Sequence, residues 1–291
     1  MRLLRLFLVV LIAAASLTAS YAQTPATPPF FFVQMSDPQF GMFTKDADFA
    51  QETANFELAI ATMNRWRPAF VVITGDLVNK AGDAAQIAEY RRIAAKLDRG
   101  IPLYNVAGNH DVENEPTPES VAAYVRTIGP DHYSFKAGSL AGVVLNSTLI
   151  HTPAKAPALY EAQLTWLHTE LARLKAGGAR HLVVFQHHPW FLEDPDEADQ
   201  YFNIPRQRRG LYLSMFRDSG VKYLFSGHYH RNASGRAGDI EMTTTGPVGM
   251  PLGEGSQSGL RVVIVRDSGL THRYYQLGEL PNQIEVKTPR P

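Results

Sequence analysis

The sequence predicts a fold of the α/β class, and two observations lead to that prediction. Short apolar runs alternate with segments of helical periodicity through the first half of the chain, which is typical of parallel βαβ units. The second half contains more strand-like runs joined by tight turns, which favours antiparallel pairing. At 291 residues the chain is long enough to bury a large core within one domain.

The first half begins with a continuous apolar run at Phe30–Met35, which predicts a buried strand. Apolar residues at helical spacing, such as Phe56 and Ile60, then predict a helix over 48–66. Further strands are predicted at 70–74 and 103–107, and further helices at 84–98 and 117–128. The last of these helices opens with Thr117 as N-cap, followed by a proline and an acidic residue at the positive end of the helix.

The second half adds one predicted helix and seven predicted strands. The helix covers 160–175, and the strands cover 132–136, 142–146, 182–185, 223–225, 241–245, 261–266 and 271–276. The last two strands are predicted to form a hairpin through Asp267-Ser268-Gly269. No internal repeat is found.

The N-terminus has the pattern of a secretory signal peptide over 1–22. Arg2 and Arg5 precede a short apolar stretch, and Ser20 and Ala22 occupy the small-residue positions before a cleavage site. The apolar stretch is shorter than the roughly 20 residues that span a membrane. We therefore expect cleavage before Gln23 and a secreted or periplasmic protein without stable membrane insertion, with a retained anchor as the alternative.

The rest of the chain is predicted to form one functional domain with flexible ends. A Pro- and Thr-rich leader is expected at 23–29, the domain at 30–280, and a loosely held tail at 281–291.

Composition excludes several classes of function. The chain has no cysteine, which rules out a disulfide framework, a thiolate zinc site and a cysteine nucleophile. Loss of residues 1–22 removes two of the 28 basic residues and none of the 28 acidic ones, which leaves a net charge of −2. That balance argues against nucleic-acid binding. The basic cluster Arg206, Arg208 and Arg209 is either a solvated face or a region that attracts phosphate.

Five polar segments follow predicted strands, and they concentrate the residue types that bind metals. They are Asp37-Pro38-Gln39, Gly75-Asp76, Gly108-Asn109-His110-Asp111, Gln186-His187-His188-Pro189 and Gly227-His228-Tyr229-His230. Each segment alone is explained by an ordinary turn. Together they hold five of the ten histidines, and strand ends can converge on one edge of a sheet. A two-metal hydrolytic centre is therefore the leading hypothesis.

The order and spacing of these segments resemble the calcineurin-like metallophosphoesterase superfamily over about residues 30–248. The residues around two of the segments are similar to those of the small single-domain "complete" serine/threonine phosphatases. They are Ser36-Asp37-Pro38-Gln39-Phe40-Gly41 and Gly227-His228-Tyr229-His230-Arg231-Asn232. The resemblance implies a four-layer α/β/β/α sandwich of two mixed sheets flanked by helices. It also implies a metal-activated water as nucleophile.

The resemblance also implies residue roles. Asp37, Asp76 and His230 would bind the first metal, and Asp76 would bridge to a second metal held by Asn109, His187 and His228. His110 would act as general acid or stabilise the phosphoryl charge, and Asp111 would orient it. His188 would either support its neighbours or contact the substrate.

Gln39 departs from the superfamily, which normally has histidine at this position. Either the Gln39 carbonyl oxygen binds the first metal, or the side chain swings away and water replaces it. Both readings favour Mn²⁺ or Mg²⁺ over Zn²⁺ at that site.

Three further positions are candidates for substrate contact. Asn114 is either a capping residue or a phosphate contact, and Arg231 either meets a phosphate or caps a loop. Tyr201 lies in an aromatic-rich insertion that forms either a substrate wall or packing beneath the next helix.

The sequence thus predicts a phosphatase with two divalent ions, manganese or iron in the first place and magnesium or zinc as alternatives. Its substrate would be a phosphorylated small molecule or a phosphoprotein. The alternatives are a phosphodiesterase on the same centre, and a metal- or phosphate-binding protein weakened by Gln39. The sequence leaves the oligomeric state open.

Overall fold

The computed structural model describes residues 28–253 and 255–286. The predicted signal peptide at 1–22 lies outside the described residues, as do residues 23–27 of the predicted leader and 287–291 of the predicted tail. No helix within the described part of the chain is long and apolar enough to cross a membrane.

The described residues form strands and helices that alternate through the first half, as predicted. The strands are β1 (Phe30–Met35), β2 (Val71–Ile73), β3 (Leu103–Asn105), β4 (Tyr133–Ala137), β5 (Leu140–Val144), β6 (His181–Phe185), β7 (Val221–Ser226), β8 (Ala233–Ala237), β9 (Ile240–Thr244), β10 (Gly259–Arg266) and β11 (Gly269–Gln276). The α-helices are α1 (Ala50–Trp66), α2 (Ala84–Ala94), α3 (Asn109–Val112), α4 (Pro118–Thr127), α5 (Ser147–His151), α6 (Pro157–Ala176) and α7 (Arg206–Ser219), and a 3₁₀ turn follows at Leu277–Glu279.

The strands build two mixed sheets. The first has the order β11-β10-β1-β2-β3, and the second has the order β4-β5-β6-β7-β9-β8. β1, β2 and β3 are parallel, and so are β5, β6, β7 and β9, while β10 and β11 form the antiparallel hairpin predicted from the sequence. Each sheet therefore brings the carboxyl ends of several strands to one edge, where ligands bind in α/β folds.

The two sheets face each other across an aromatic core. Phe32 of β1 meets Phe185 of β6 and Phe225 of β7 edge to face, at ring-centroid distances of 5.8 and 5.9 Å. Such pairs add stability beyond the area they bury. A second apolar cluster lies between the first sheet and α1 and α2, and a third lies between the second sheet and α6 and α7. The predicted four-layer α/β/β/α sandwich is confirmed.

Most predicted elements are present, with shifted ends. Thr117 caps α4 as predicted, since its Oγ1 accepts the backbone N–H of Ser120 at 3.2 Å. The predicted helix at 84–98 ends at Ala94, and the predicted strand at 142–146 starts two residues earlier. No element was predicted for α3, α5, α7 or β8. The last is an edge strand of small and polar residues without apolar alternation.

Residues 281–286 of the predicted tail pack against the domain. The carbonyl oxygen of Pro281 accepts a hydrogen bond from Trp66 Nε1 at 2.9 Å, and Ile284 and Val286 contact the apolar cluster beside α1.

Candidate metal centre

The five polar segments meet at one edge of the sandwich. Asp37 follows β1, Asp76 follows β2, and Asn109 starts the short helix after β3. His187 follows β6, and His228 follows β7 of the second sheet. All of these side chains are buried, none more than 4% exposed. Burial of so many polar groups in one place costs free energy unless they are paired or bind metal ions.

The turns that carry the candidate ligands have unusual backbone conformations. Positive φ angles occur at Asp37 (48°), Gln39 (39°), Asp76 (49°), His228 (68°) and His230 (52°). Left-handed geometry is uncommon for residues other than glycine, and it clusters at functional sites. These sharp turns direct side chains from separate strands toward one point.

Two glycines allow the loops to approach closely. A Cβ atom at Gly108 would overlap Asp76, and one at Gly227 would overlap Ser36. Glycine at these two positions of the motifs is therefore a steric requirement.

Four donor atoms surround one point next to His187. Its Nε2 lies 3.1 Å from Asp76 Oδ2, 2.9 Å from Asn109 Oδ1 and 3.1 Å from His228 Nδ1. Ligand atoms about 2.1 Å from a shared cation lie roughly 3.0–3.4 Å from one another. The spacing of this group, called the second site below, therefore fits one divalent cation.

A second group consists of Asp37, Asp76 and His230, and it is called the first site below. Their ligand atoms lie within 4.8 Å of one another, and His230 Nε2 is 3.4 Å from Asp37 Oδ1. Asp76 belongs to both groups, so its carboxylate is placed to bridge two ions. Together the groups form a dinuclear divalent metal site.

Backbone carbonyl groups orient the three imidazole rings. His187 Nδ1 is 2.8 Å from the carbonyl oxygen of Thr74, and His230 Nδ1 is 2.7 Å from that of Met250. His228 Nε2 is 3.2 Å from the carbonyl oxygen of Tyr201. Because a carbonyl oxygen only accepts, the facing nitrogen carries a hydrogen, and the other nitrogen of each ring faces the site, where its lone pair can bind a metal.

Gln39, two residues after Asp37, has an unpaired acceptor. Its Oε1 is buried and has no hydrogen-bond partner, while its Nε2 donates to Asn79 Oδ1 at 3.1 Å. Asn79 Nδ2 in turn donates to Asp46 Oδ1 at 2.9 Å, which fixes the orientation of both amides. An orphaned buried oxygen is costly unless it has a ligand. Of the two readings of Gln39, the structure favours the one in which the carbonyl oxygen binds the first metal.

The electrostatics of the buried pair Asp76 and His187 also suit a cation. Burial opposes ionisation of Asp76, but the neighbouring histidines outweigh it and hold the pKa of this carboxyl well below its usual range. Burial also opposes charge on His187, but Asp76 raises the pKa of His187 to about 9. Burial and the His187 charge lower the pKa of His228 to about 3. Asp76 thus stays negatively charged, and His228 stays neutral. His187 carries a proton beside Asp76, and a bound cation would take the place of that proton.

His110 stands at the edge of this site. Its backbone N–H donates to Asp76 Oδ1 at 2.9 Å, and its Nδ1 lies 2.6 Å from the carbonyl oxygen of Asn79. That contact places the ring hydrogen on Nδ1 and leaves Nε2 as the atom available to a substrate. The half-buried ring is the only one of the five histidines in the motifs that is not fully buried.

The Asp111 carboxylate makes its hydrogen bonds to backbone groups and none to the His110 ring, so the direct contact expected from the resemblance is not seen. Its Oδ1 accepts the backbone N–H groups of Leu77 and Val78 at 2.9 and 3.2 Å, and its Oδ2 accepts that of Gly108 at 2.8 Å. Burial and the Asp76 charge raise the pKa of Asp111 to about 8, while the backbone donors oppose that rise. Asp111 ties the Asp76 loop to the Asn109 loop, and the partner of the His110 ring is the carbonyl group of Asn79.

Asn114 and His188 support ligands. Asn114 Oδ1 accepts Asn109 Nδ2 at 2.8 Å, which turns Asn109 Oδ1 toward His187. His188 is 2% exposed, and its Nδ1 is 3.1 Å from Ser147 Oγ. The centroid of its ring lies 4.3 Å from that of His228, so His188 packs against that ligand. Substrate contact by either residue stays a prediction.

Tyr201 and Arg231 are exposed beside the site. The Tyr201 hydroxyl is 3.3 Å from Asn109 Nδ2, and its ring centroid is 4.9 Å from that of His228. Arg231 donates from Nε to the carbonyl oxygen of Leu252 at 3.0 Å, and its guanidinium group lies over the ring of Tyr229.

In the basic cluster, Arg209 is buried and donates to backbone carbonyl groups, so it cannot attract phosphate.

Asn79 and Asp46 are the functional residues that the sequence analysis missed. Asn79 holds both the Gln39 amide, through its side chain, and the His110 ring, through its carbonyl group. The one available signal was its place three residues after Asp76 in a strand-end loop.

Comparisons with known proteins agree with this geometry. A family model described as calcineurin-like phosphoesterase matches residues 32–232. The chain is 40% identical over 268 residues to the serine/threonine-protein phosphatase CPPED1 of Homo sapiens, which covers 87% of this chain and 85% of that protein. It is 29% identical over 216 residues to a probable cyclic nucleotide phosphodiesterase of Rhodopseudomonas palustris, covering 70% of this chain and 73% of that protein.

Solved structures share the fold at low identity. A purple acid phosphatase from yellow lupin (Lupinus luteus) matches with a TM-score of 0.65 and 14% identity, covering 87% of this chain and 52% of that one. A dimetal phosphatase from Danio rerio matches with a TM-score of 0.57 and 17% identity, covering 84% of this chain and 98% of that one.

Proposed function

Because the chain belongs to the calcineurin-like phosphoesterase family and is a metal-dependent phosphoester hydrolase, we propose that it acts on phosphomonoesters. The observation that carries the proposal is the convergence of buried donors on two adjacent positions that share Asp76. Asp37, Gln39, Asp76 and His230 would hold the first ion. Asp76, Asn109, His187 and His228 would hold the second.

When bound, two divalent ions supply a nucleophilic water at neutral pH and neutralise phosphoryl charge. The residues of the chain would hold the ions, and with them the water and the phosphate ester, in a fixed arrangement. Asp37 accepts the backbone N–H of His228 at 3.2 Å, which couples the loops after β1 and β7. Gln39 N donates to the carbonyl oxygen of Asp76 at 2.8 Å, which couples the loops after β1 and β2. This rigidity keeps the donors in place before substrate binds.

His110 would deliver the proton that the leaving group needs. As a water oxygen bonds to phosphorus, the ester P–O bond breaks, and the leaving oxygen takes a proton from His110 Nε2. The products are an alcohol and inorganic phosphate. The contact from Nδ1 to the Asn79 carbonyl group holds the orientation of the ring, and the transferred proton is the Nε2 hydrogen of the imidazolium form, which keeps its Nδ1 hydrogen.

The metal pair we propose is manganese or iron, with magnesium or zinc as the alternative. The first site would combine two carboxylates and an amide oxygen with a single imidazole, which favours hard cations.

Preference for monoesters over diesters is the first expected result. The similarity to serine/threonine-protein phosphatases is higher than that to the probable cyclic nucleotide phosphodiesterase, which supports a monoester such as a small phosphorylated molecule or a phosphoprotein. With Mn²⁺ present, kcat/KM should be higher for p-nitrophenyl phosphate than for bis(p-nitrophenyl) phosphate. The reverse order would make the protein a phosphodiesterase.

We also propose export through the segment at 1–22, which has the basic start, apolar core and small residues of a signal peptide. N-terminal sequencing of the full chain, produced in a Gram-negative bacterium and recovered from the periplasm, should begin at Gln23. Recovery of an intact N-terminus in the membrane fraction would instead indicate a retained anchor.

A further inference from the structure

The segment between β6 and α7, residues 186–205, places one exposed aromatic ring beside the metal centre. Tyr201 is 55% exposed, and its ring lies 4.9 Å from that of the ligand His228. A tyrosine exposed next to a metal centre can serve as a binding surface, because it combines a large apolar ring with a polar hydroxyl group.

The position of Tyr201 is fixed by a buried network. Arg209 of α7 is 2% exposed and donates to the carbonyl oxygens of Pro195 at 2.7 Å, Glu197 at 2.9 Å and Ile204 at 3.0 Å. Asn203 Nδ2 donates to the Glu197 carboxylate, which also accepts three backbone N–H groups of residues 192–194. The segment therefore presents Tyr201 on a rigid support, which lowers the entropy lost when a ligand binds.

Two further rings extend this surface. Phe202 lies 5.6 Å from His228 and 5.0 Å from Tyr229, measured between ring centroids. Tyr201, Phe202 and Tyr229 are called the aromatic shelf below. The shelf begins at second-site ligands and ends at the exposed guanidinium group of Arg231, 5.5 Å from the centroid of Tyr229.

We propose that the aromatic shelf makes the enzyme selective for phosphate esters whose leaving group carries a planar aromatic ring. The inference rests on the phosphomonoesterase function proposed above, because the phosphate must lie on the metal centre for the leaving group to reach the shelf. A planar ring can stack on or meet Tyr201 edge to face, which an alkyl chain of similar size cannot do.

Binding of two phosphonates tests the inference without turnover. Benzylphosphonate and n-butylphosphonate share a non-hydrolysable dianionic head and differ in the side group. Calorimetry on the Mn²⁺-loaded protein should show that benzylphosphonate binds about 3- to 10-fold more tightly, the size of one aromatic pair contact. In Tyr201→Leu this ratio should fall toward one, whereas Tyr201→Phe, which keeps the ring, should retain it.

A ratio near one in the unaltered protein, or an unchanged ratio in Tyr201→Leu, would overturn the proposal. Metal content is measured in every variant. Should Tyr201→Leu lose metal, Phe202→Leu removes the neighbouring ring, and the ratio should then fall in that variant. The two hypotheses fail separately: selective binding without hydrolysis of benzyl phosphate refutes the phosphomonoesterase, and hydrolysis of benzyl and butyl phosphates without selectivity refutes the shelf.

The aromatic phosphate can come from a small ester or from a phosphotyrosyl side chain. Titration with phosphonomethyl-phenylalanine, free and within a hexapeptide, distinguishes these sources. Equal affinities indicate that a small aromatic ester is the ligand, and tighter binding of the peptide indicates a protein-derived one. Binding of neither probe would count against the aromatic class.

Discussion

Replacement of Asp76 by asparagine should remove both metal ions and lower kcat/KM by about 10³-fold or more. Asp76 is the one residue common to both groups of ligands. Charge stabilisation by a metal pair contributes several kcal/mol to a transition state, and about 4 kcal/mol corresponds to a factor of 10³. Metal content measured by mass spectrometry after dialysis, together with turnover of p-nitrophenyl phosphate, checks the result.

The geometry makes asparagine a clean replacement. Asn Oδ1 can still accept the backbone N–H of His110, which Asp76 Oδ1 accepts at 2.9 Å. The new amide nitrogen would face His187 Nε2, now 3.1 Å from Asp76 Oδ2, and would donate to the lone pair that a metal needs. The fold should therefore be retained, while the second site can no longer bind a metal ion. Circular dichroism checks that the fold is retained.

Gln39→Leu is the matched control for Asp76→Asn. Gln39 Oε1 has no protein partner, and Gln39 Nε2 donates to Asn79, which belongs to neither group of ligands, so the substitution should weaken the first site and leave the second-site ligands in place. We expect one ion per chain in Gln39→Leu and none in Asp76→Asn. Two ions retained in Asp76→Asn would contradict the bridging role of this carboxylate.

The sequence predicted the convergence of the site because that convergence follows from topology. Residues after parallel strands meet at one sheet edge, so the segments at Asp37 and Asp76 had to approach one another in the first sheet, and those at His187 and His228 in the second. The four-layer arrangement came from the family resemblance, since apolar periodicity does not specify which sheet a strand joins.

The parts that the sequence did not reveal depend on loop geometry. The contact from His110 to the Asn79 carbonyl group involves a backbone atom, which no residue pattern encodes. Asp111 was assigned to its sequence neighbour, whereas its carboxylate reaches the backbone of another loop. Helix α7 did carry a signal: Arg209, Tyr212, Leu213 and Phe216 are buried at helical spacing. Arg209, the first of these positions, was instead interpreted as part of the basic cluster with Arg206 and Arg208, because a buried arginine is unusual.

His110→Ala should lower kcat by about 10²–10⁴-fold, the usual contribution of a general acid, while both ions stay bound. The His110 side chain contacts Asn79 and is absent from both metal-binding groups. His110→Asn is the matched control for loop structure, because its amide can donate to the Asn79 carbonyl group but cannot transfer a proton. Loss of metal in either variant would contradict the assigned role.

The leaving group separates the two roles considered for His110. A general acid matters most when the leaving oxygen is strongly basic, as in benzyl phosphate, and least for p-nitrophenyl phosphate, whose leaving group is stable as an anion. If His110 is the acid, His110→Ala should lose far more activity toward benzyl phosphate than toward p-nitrophenyl phosphate. Equal losses would mean that His110 stabilises phosphoryl charge instead, because the phosphoryl group is the same in both esters. The contact of Nδ1 with the Asn79 carbonyl group favours the first result, since it leaves Nε2 free to face the leaving oxygen and, in the imidazolium form, to donate its proton.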